Sequence, residues 1–416
     1  MNAPVVIQAP VLPLAPAGGP VAVQQVLDGL GLPGVPFGEA RRETLAQLSR
    51  AILQDPALRA DAASVALGYW LRRASIDRLA AAHLERQQAT PDTLHVPAGR
   101  VFHVAPGNVD TVFVYSWALS YLCGNVDVVR VSTQQGEVLA RLLALLSARM
   151  AADAELAAAS RFITYEHDEA VSAALSGWAT HRVVWGGDDT VSRLRALPLS
   201  PHASERAFAS KFSYAAIEAQ GYLAADDVRA ARLASDFFND LFWFDQMACS
   251  SPHVVAWVGD AGIAARAVSR FDDALAAEIR RRGHRGTPSH TMQRLNHVFD
   301  RACEVPLQAD LRQQEFLAVR RFAEMPVLER DTCGAGLFLH TRADRLADLA
   351  LQAVERDQTV THFGFDNETL REYALQAGAR GVDRVVPIGQ ALAFDPVWDG
   401  YDLIGDFLRR VTLRGA

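Results

Sequence analysis

The strongest constraint on the fold is the alternation of short apolar runs with amphipathic stretches between residues 101 and 218. The apolar runs are five to seven residues long, and the stretches between them carry apolar side chains at three-to-four spacing. Such alternation is typical of βαβ units, in which successive strands lie parallel in one sheet. The sequence therefore predicts an α/β fold, and its predicted strands are VFHVA, VDVVRV, RFITYEH, HRVVWGG and FSYAAIE.

A helical N-terminal layer and a second α/β unit complete the predicted architecture. Residues 41–88 have amphipathic helical patterns. From about residue 211, an aromatic helix over 226–244 precedes the strand HVVAWVG, and helices and strands alternate as far as VDRVVPIG. The predicted domains are an extended, proline-rich arm (1–40), N-terminal helices with a dinucleotide-binding domain (41–210), a catalytic domain (211–390), and a tail (391–416) that oligomerises or returns to the cofactor domain.

Composition and cysteine spacing exclude several function classes. Half of the 416 residues are hydrophobic and the formal net charge is −7, so no basic field favours nucleic acid. No apolar run approaches the roughly 20 residues that cross a bilayer. The four cysteines have no C-x-x-C spacing, and the N-terminal stretch lacks the basic region of a secretory signal. We expect a cytoplasmic protein without a metal site.

Three polar or glycine positions follow predicted strands and are expected to meet at the carboxyl edge of one sheet. Asn108 follows VFHVA, Arg130 closes VDVVRV, and Gly186-Gly187 follows HRVVW. Asn108 is either a turn residue or an amide donor for an oxyanion. Arg130 is either a solvated rim residue or binds a ribose or 2′-phosphate, and the glycines form a tight turn or make room for a cofactor phosphate.

Cys249 is the candidate nucleophile. It begins a small polar loop, Cys-Ser-Ser-Pro, between an aromatic helix and a strand. The alternative is a buried cysteine that acts as a small hydrophobic residue, which is the interpretation we give to Cys123, Cys303 and Cys333. A Schiff-base mechanism would have to use Lys211, the only lysine.

Several segments together resemble the aldehyde dehydrogenase superfamily. VFHVAPGNVDTVFVYSWALSYLCGNVDVVRVS is similar to its segment with the catalytic asparagine and the cofactor strand, VVWGGDDTV to its cofactor turn, and DQMACSSP to its nucleophile loop. PGNV, VVRVS, DQMACSSP and GVDRVVPIG…FDPVWDGYDLI are most similar to the fatty acyl-CoA reductases, the branch that includes the reductase of bacterial bioluminescence. The resemblance extends over residues 95–410.

The resemblance implies an aldehyde dehydrogenase-like fold with a Rossmann-type cofactor domain and an α/β catalytic domain. It implies that Cys249 accepts the acyl group and that Asn108, with the backbone N–H of Cys249, binds the oxyanion. NADPH is the expected cofactor, with NADH as the alternative. The residues implied around its adenosine end are Arg130, Ser132, Gly186 and Gly187.

The sequence also departs from the superfamily pattern. Gln246 lies three residues before the cysteine instead of two, and Gly187 stands in place of a serine. No Glu-Leu-Gly-Gly precedes Lys211; the nearest acid is Glu205. In the oxidising enzymes that glutamate activates water against the thioacyl enzyme, so its absence favours reduction of a thioester. Glu205 serves as this base only if the register slips.

We therefore predict an NADPH-dependent reductase that converts an acyl thioester to an aldehyde through a thioacyl enzyme on Cys249. The acyl donor is acyl-CoA or an acyl group on a carrier or activating partner protein, and the superfamily implies a homo-oligomer. The alternatives are an aldehyde dehydrogenase that hydrolyses the thioacyl enzyme, a cofactor-free cysteine acyltransferase, and a non-catalytic scaffold.

Overall fold

The computed structural model describes residues 5–8, 10–133, 136–304, 308–310, 316–320 and 326–414. Contacts divide the chain into two compact units. The first comprises Met1–Ala209 and Phe394–Ala416, and the second comprises Ser210–Ala393. Each unit has its own mainly parallel sheet, which confirms the predicted α/β class.

The first unit is built around a sheet with the strand order β2-β7-β6-β5-β8-β9. Strands β5 to β9 run parallel, and β2 adds antiparallel to the edge beside β7. Apolar side chains such as Phe102, Val128 and Val184 form its core. The elements are β1 (Val6–Ile7), β2 (Val11–Leu12), β3 (Val21–Ala22), α1 (Val23–Asp28), α2 (Glu39–Gln54), α3 (Pro56–Ala60), α4 (Ala62–Trp70), α5 (Arg73–Ala89), β4 (Thr93–Pro97), β5 (Arg100–Val104), α6 (Val112–Leu122), β6 (Val126–Val131), α7 (Glu137–Ala152), α8 (Ala154–Ala159), β7 (Ser160–Thr164), α9 (Glu169–Trp178), β8 (His181–Trp185), α10 (Asp188–Arg195) and β9 (Ser204–Phe208).

The second unit has the strand order β12-β13-β14-β11-β10-β15-β16, parallel except for β12. Its elements are β10 (Phe212–Glu218), α11 (Ala219–Ala224), α12 (Asp227–Phe242), β11 (Pro252–Val258), α13 (Ala261–Arg282), α14 (Pro288–Ala302), β12 (Gln308–Asp310), β13 (Leu317–Arg320), β14 (Leu337–Ala343), α15 (Leu346–Leu351), β15 (Asp357–Phe363), α16 (Asn367–Gly378) and β16 (Arg384–Pro387). The chain then re-enters the first unit. It forms there β17 (Val397–Trp398), β18 (Tyr401–Asp402), α17 (Leu403–Asp406) and β19 (Leu408–Thr412), the last antiparallel to β4.

The N-terminal segment differs from the extended arm that its prolines favoured. The described residues of this segment include three short strands and helix α1, and β2 joins the sheet of the first unit. Ile7, Val11 and Val26 are buried in that unit's core. Burial of these apolar side chains offsets the entropy lost when the segment is ordered.

Strand β15, an inner strand between β10 and β16, was not predicted by the sequence analysis. Four of its side chains are polar and completely buried, namely those of Asp357, Gln358, Thr359 and Thr361. A buried strand is normally recognised by consecutive or alternating apolar residues, and here polar groups occupy the buried positions. Buried polar groups need hydrogen-bond partners, and Asp357 has them: it accepts from Arg330 Nε and Nη2 at 2.8 and 2.7 Å and from the backbone N–H of Val354 at 3.1 Å.

We expect Asp357→Ala to destabilise the protein strongly, because the substitution leaves the Arg330 guanidinium without its carboxylate. Breaking a buried ion pair in this way costs about 3 kcal/mol in the free energy of unfolding, which urea denaturation would measure. Asp227→Ala is the matched control, since Asp227 pairs with Arg270 from a fully exposed position, where ion pairs contribute little. Equal losses in the two variants would contradict the role of Asp357.

Candidate functional site

Cys249 lies in the loop between α12 and β11, at the amino edge of the second unit's sheet. The loop has positive φ angles at Asp245 (46°) and Gln246 (65°). Gln246 is buried and supports the loop from inside. Its Nε2 donates to the carbonyl of Pro252 at 2.8 Å, and its Oε1 accepts from the N–H of Gly336 at 3.0 Å. The glutamine three residues before the cysteine is therefore a structural support of this loop.

Strands β10 and β15 hold both the sulfur and the carbonyl of Cys249. Gln358 Nε2 donates to Sγ over 3.3 Å, and Ser213 Oγ donates to the Cys249 carbonyl over 2.8 Å. The backbone N–H of Thr359 in turn donates to Ser213 Oγ at 3.2 Å. Gln358 and Ser213 are fully buried, whereas Cys249 is half-buried. The thiol thus has polar surroundings and some access to solvent, as a nucleophile needs.

The other three cysteines differ from Cys249, although Cys333 is also half-buried and its thiol donates to the carbonyl of Gly334 at 3.5 Å. Cys123 is fully buried, and burial raises the pKa of its thiol well above the ordinary value. Burial also raises the pKa of the Cys333 thiol. Cys303 is exposed at the end of α14. Cys249 therefore remains the candidate nucleophile.

Glu205 and Lys211, which the sequence analysis weighed for catalysis, have partners of their own. Glu205 accepts from Arg182 Nε at 2.6 Å within the sheet of the first unit. Lys211 Nζ lies 3.1 Å from Asp383 Oδ2. Burial lowers the pKa of His253 to about 4, so that its imidazole is neutral at pH 7. The ion pair of Glu205 disfavours its use as a general base, and that of Lys211 disfavours its use as a free amine.

In the first unit, Asn108, Arg130 and Gly186 come at or after the ends of three neighbouring parallel strands. The strand order β6-β5-β8 places these carboxyl ends side by side. Asn108 is exposed in the turn after β5. A Cβ atom on Gly107 would lie 3.1 Å from Ser132 Oγ, so this turn packs closely against Ser132.

Arg130 has hydrogen-bond donors available at this edge. Its Nη2 donates to the carbonyl of Tyr165 at 3.2 Å, and its guanidinium lies 5.4 Å from the centre of the Tyr165 ring. Its other donors make no hydrogen bond with the residues that the structure describes. A half-buried guanidinium with unused donors fits an anionic group of a nucleotide.

Gly186 and Gly187 form the turn from β8 into α10. A Cβ atom on Gly186 would lie 3.0 Å from the Thr190 side chain, so the turn accommodates glycine best. Gly187 is the N-cap of α10, but Asp188 and Asp189 stand in its first turn and would repel a phosphate there. The residues fit a nucleotide whose anionic group is bound by Arg130 and whose neutral part passes the glycines.

A buried hydrogen-bonded chain behind this edge was missed by the sequence analysis. His103 Nδ1 lies 2.8 Å from Ser116 Oγ, and His103 Nε2 lies 3.1 Å from Asp127 Oδ1. Trp185 Nε1 donates to the same serine at 3.0 Å. The chain therefore anchors Trp185, the residue directly before Gly186. The sequence offered one sign of this chain, since His103 and Asp127 are polar residues inside the apolar strands VFHVA and VDVVRV.

The described residues contain neither a cluster of metal-ligating side chains nor a helix that could cross a membrane. No group of three or more histidine, cysteine, aspartate or glutamate side chains in that part of the chain converges as a metal site. None of the helices described there is both long and apolar enough to cross a bilayer.

Comparison with known proteins identifies both a family and a fold. Residues 72–410 match the profile of a family described as Acyl-CoA reductase (LuxC). No curated protein matches the sequence significantly.

Solved structures that include two aldehyde dehydrogenases share the fold, which confirms the prediction of an aldehyde dehydrogenase-like architecture. Aldehyde dehydrogenase 21 from Physcomitrella patens, in complex with succinate, is 10% identical, with a TM-score of 0.64 over 99% of this chain and 95% of that chain. An NAD-dependent benzaldehyde dehydrogenase from Corynebacterium glutamicum is 13% identical, with a TM-score of 0.58 over 94% and 88%. PnpE in complex with nicotinamide adenine dinucleotide is 13% identical, with a TM-score of 0.63 over 91% and 86%.

Asp240, on the helix that leads into the nucleophile loop, is a buried acid with backbone partners. Its carboxylate accepts from the N–H groups of Gly389 and Ala391 at 2.7 and 3.0 Å. Its backbone carbonyl accepts from Ser251 Oγ at 2.7 Å. Burial raises the pKa of the carboxyl to about 7.

We expect Asp240 to make stability fall as the pH rises. Because its pKa is raised in the folded state, that state binds the proton more tightly between about pH 4 and pH 7, and this contribution is lost above the folded pKa. Relative to Asp240→Asn, the unfolding free energy of the natural protein should therefore drop by roughly 2–4 kcal/mol between pH 4 and pH 8. Urea denaturation across this range measures it, and parallel curves for the two proteins would refute the prediction.

Proposed function

The chain belongs to the acyl-CoA reductase (LuxC) family, and we propose that it reduces an acyl thioester to an aldehyde with NADPH, through a thioester on Cys249. The family and the fold support an oxidoreductase that acts in aldehyde chemistry. The observation that carries the finer proposal is the half-buried Cys249 thiol, whose sulfur accepts a hydrogen bond from a buried neutral amide.

The first half of the proposed reaction transfers the acyl group to the enzyme. The Cys249 thiol loses its proton to solvent, and the thiolate attacks the carbonyl carbon of the substrate. A new S–C bond forms, the bond to the sulfur of coenzyme A breaks, and the departing thiolate takes a proton from solvent. We assign the developing oxyanion to the backbone N–H of Cys249 and the side-chain amide of Asn108.

The second half releases the aldehyde. When bound, the nicotinamide supplies a hydride to the acyl carbon. Asn108 is assigned to hold the resulting oxyanion until the C–S bond breaks, which frees the aldehyde and returns the Cys249 thiolate. The Gln358 amide beside the sulfur favours this outcome, because an amide, unlike a carboxylate, does not act as a base that activates water against the thioester.

Arg130, Ser132, Gly186 and Gly187 are the residues we assign to the adenosine end of the cofactor. The unused donors of Arg130 favour NADPH, since a 2′-phosphate offers them an anionic partner. NADH is the alternative.

We further propose that the acyl donor is acyl-CoA or an acyl group carried by a partner protein. A nucleophilic thiol works best where thiols stay reduced, which supports a cytoplasmic location. The ribbon formed by β4 and β19 exposes Leu94, Val411 and Leu413. Exposed apolar side chains on a two-stranded ribbon support assembly into a homo-oligomer.

Exposure to acyl-CoA without cofactor should add the acyl mass to one residue, Cys249. Mass spectrometry of the intact chain and of its peptides would detect the adduct, which Cys249→Ala should abolish and Cys303→Ala, at an exposed thiol, should not affect. Later addition of NADPH should release aldehyde faster than NADH does. Carboxylate as the main product would favour an aldehyde dehydrogenase, and acylation without any binding of NADPH would favour an acyltransferase.

Asn108→Ala should lower kcat by about 10²–10³-fold, because one donor to the oxyanion is lost. Steady-state aldehyde formation measures the effect. Asn296→Ala, at an exposed position on α14, is the matched control and should leave kcat unchanged. If Asn108→Ala also kept its kcat, the assignment of the oxyanion donor would be wrong.

A further inference from the structure

We propose that Gln358 is a second catalytic residue, whose neutral carboxamide donates a hydrogen bond to Cys249 Sγ and stabilises the sulfur as a thiolate before acyl transfer and again when the aldehyde leaves. The inference rests on the proposed function for the acyl chemistry. The contact itself is independent of that function, because it is present in the structure.

The contact joins two groups of the second unit. Gln358 is the second residue of β15 and is completely buried. Its Nε2 lies 3.3 Å from Sγ of Cys249, a hydrogen-bond distance for sulfur. A residue that touches the reacting atom affects the chemistry directly as well as the shape of the site.

The orientation of the carboxamide is set by its neighbour. Thr359 Oγ1 donates to Gln358 Oε1 at 3.3 Å, which places the NH₂ end of the amide toward the sulfur. Thr359 is itself held, because its backbone N–H donates to Ser213 Oγ, and this hydroxyl donates to the Cys249 carbonyl. The sulfur and its donor are therefore fixed in one hydrogen-bonded ring, so little entropy is lost when the thiolate forms.

A neutral donor suits every species in the proposed cycle. An N–H group bonds more strongly to a thiolate than to a thiol or thioester, because hydrogen bonds to charged acceptors are the stronger ones. Gln358 therefore stabilises the Cys249 thiolate both when it attacks the substrate and when it leaves the acyl carbon, and the amide itself gains or loses no proton. A carboxylate at this position would repel the thiolate and supply a base for water.

Several ionisable groups on the elements around Cys249 are bonded to partners other than its thiol. They are Asp357 with Arg330, Asp245 with His284, Lys211 with Asp383, and His253 with Thr332. The amide of Gln358 is accordingly the group that we expect to control ionisation of Cys249.

The test measures the rate at which iodoacetamide alkylates Cys249 as a function of pH, with peptide mass spectrometry to separate the four cysteines. Gln358→Met removes the donor at similar volume, and Gln358→Glu replaces the amide with an isosteric acid. Gln352→Met makes the same change at a partly exposed glutamine of this unit and is the matched control. Cys303, which is exposed, reports any general change in alkylation within each sample.

Gln358→Met should move the midpoint of the Cys249 profile upward by about one pH unit, a roughly tenfold loss of thiolate at neutral pH. Gln358→Glu should move it at least as far. Single-turnover acylation should fall about tenfold at pH 7 and recover at a pH above the new midpoint. A purely structural defect would change the plateau rate and leave the midpoint in place.

Unchanged midpoints in both variants would overturn the proposal, and Gln358→Glu alone decides it if Gln358→Met fails to fold. The outcome is separate from that of the proposed function. A natural protein that no acyl-CoA acylates, but whose alkylation midpoint depends on Gln358, would refute the reductase and retain the thiolate contact.

Discussion

The buried polar start of β15 is the structural feature on which the position of Cys249, the proposed nucleophile, depends. Desolvated polar groups are costly unless they are hydrogen-bonded. Three consecutive residues of β15 each bind a different segment, two through a side chain and one through its backbone N–H. Asp357 binds Arg330, Gln358 binds the sulfur of Cys249, and Thr359 binds a serine of β10. We therefore expect β15 and the Cys249 loop to become ordered together, because buried polar groups of each need the other for their hydrogen bonds.

The candidate functional groups of the two units lie at opposite kinds of sheet edge. In the first unit, turns after parallel strands bring a glycine pair and an arginine to the carboxyl edge, where we propose that the cofactor binds. In the second unit, the thiol lies at the amino edge, where side chains from the first residues of two strands reach it. Space and backbone geometry dominate the first arrangement, and side-chain hydrogen bonds dominate the second.

Apolar periodicity was sufficient for most of the elements. The strands Val126–Val131 and Phe212–Glu218 have the bounds that their patterns predicted, since each buries a nearly continuous apolar run. The same reasoning failed at β15, where hydrogen bonds compensate for polar side chains in the core. It also failed at the N-terminal segment, where β2, a short apolar run between prolines, pairs with β7 at the edge of the sheet.

Local composition made Cys249 one candidate, as a cysteine in a small polar loop between an aromatic helix and a strand, and the resemblance to the acyl-CoA reductases implied its role as nucleophile. Gln358 could not be found in this way, since it is 109 residues further on and nothing in its own segment distinguishes it from a surface glutamine. Periodicity and loop chemistry depend on residues that are close together in the sequence, so they can be recognised from the sequence alone. The hydrogen bonds that orient the thiol join segments far apart in the chain, and they exist only once the parallel strands have brought those segments together.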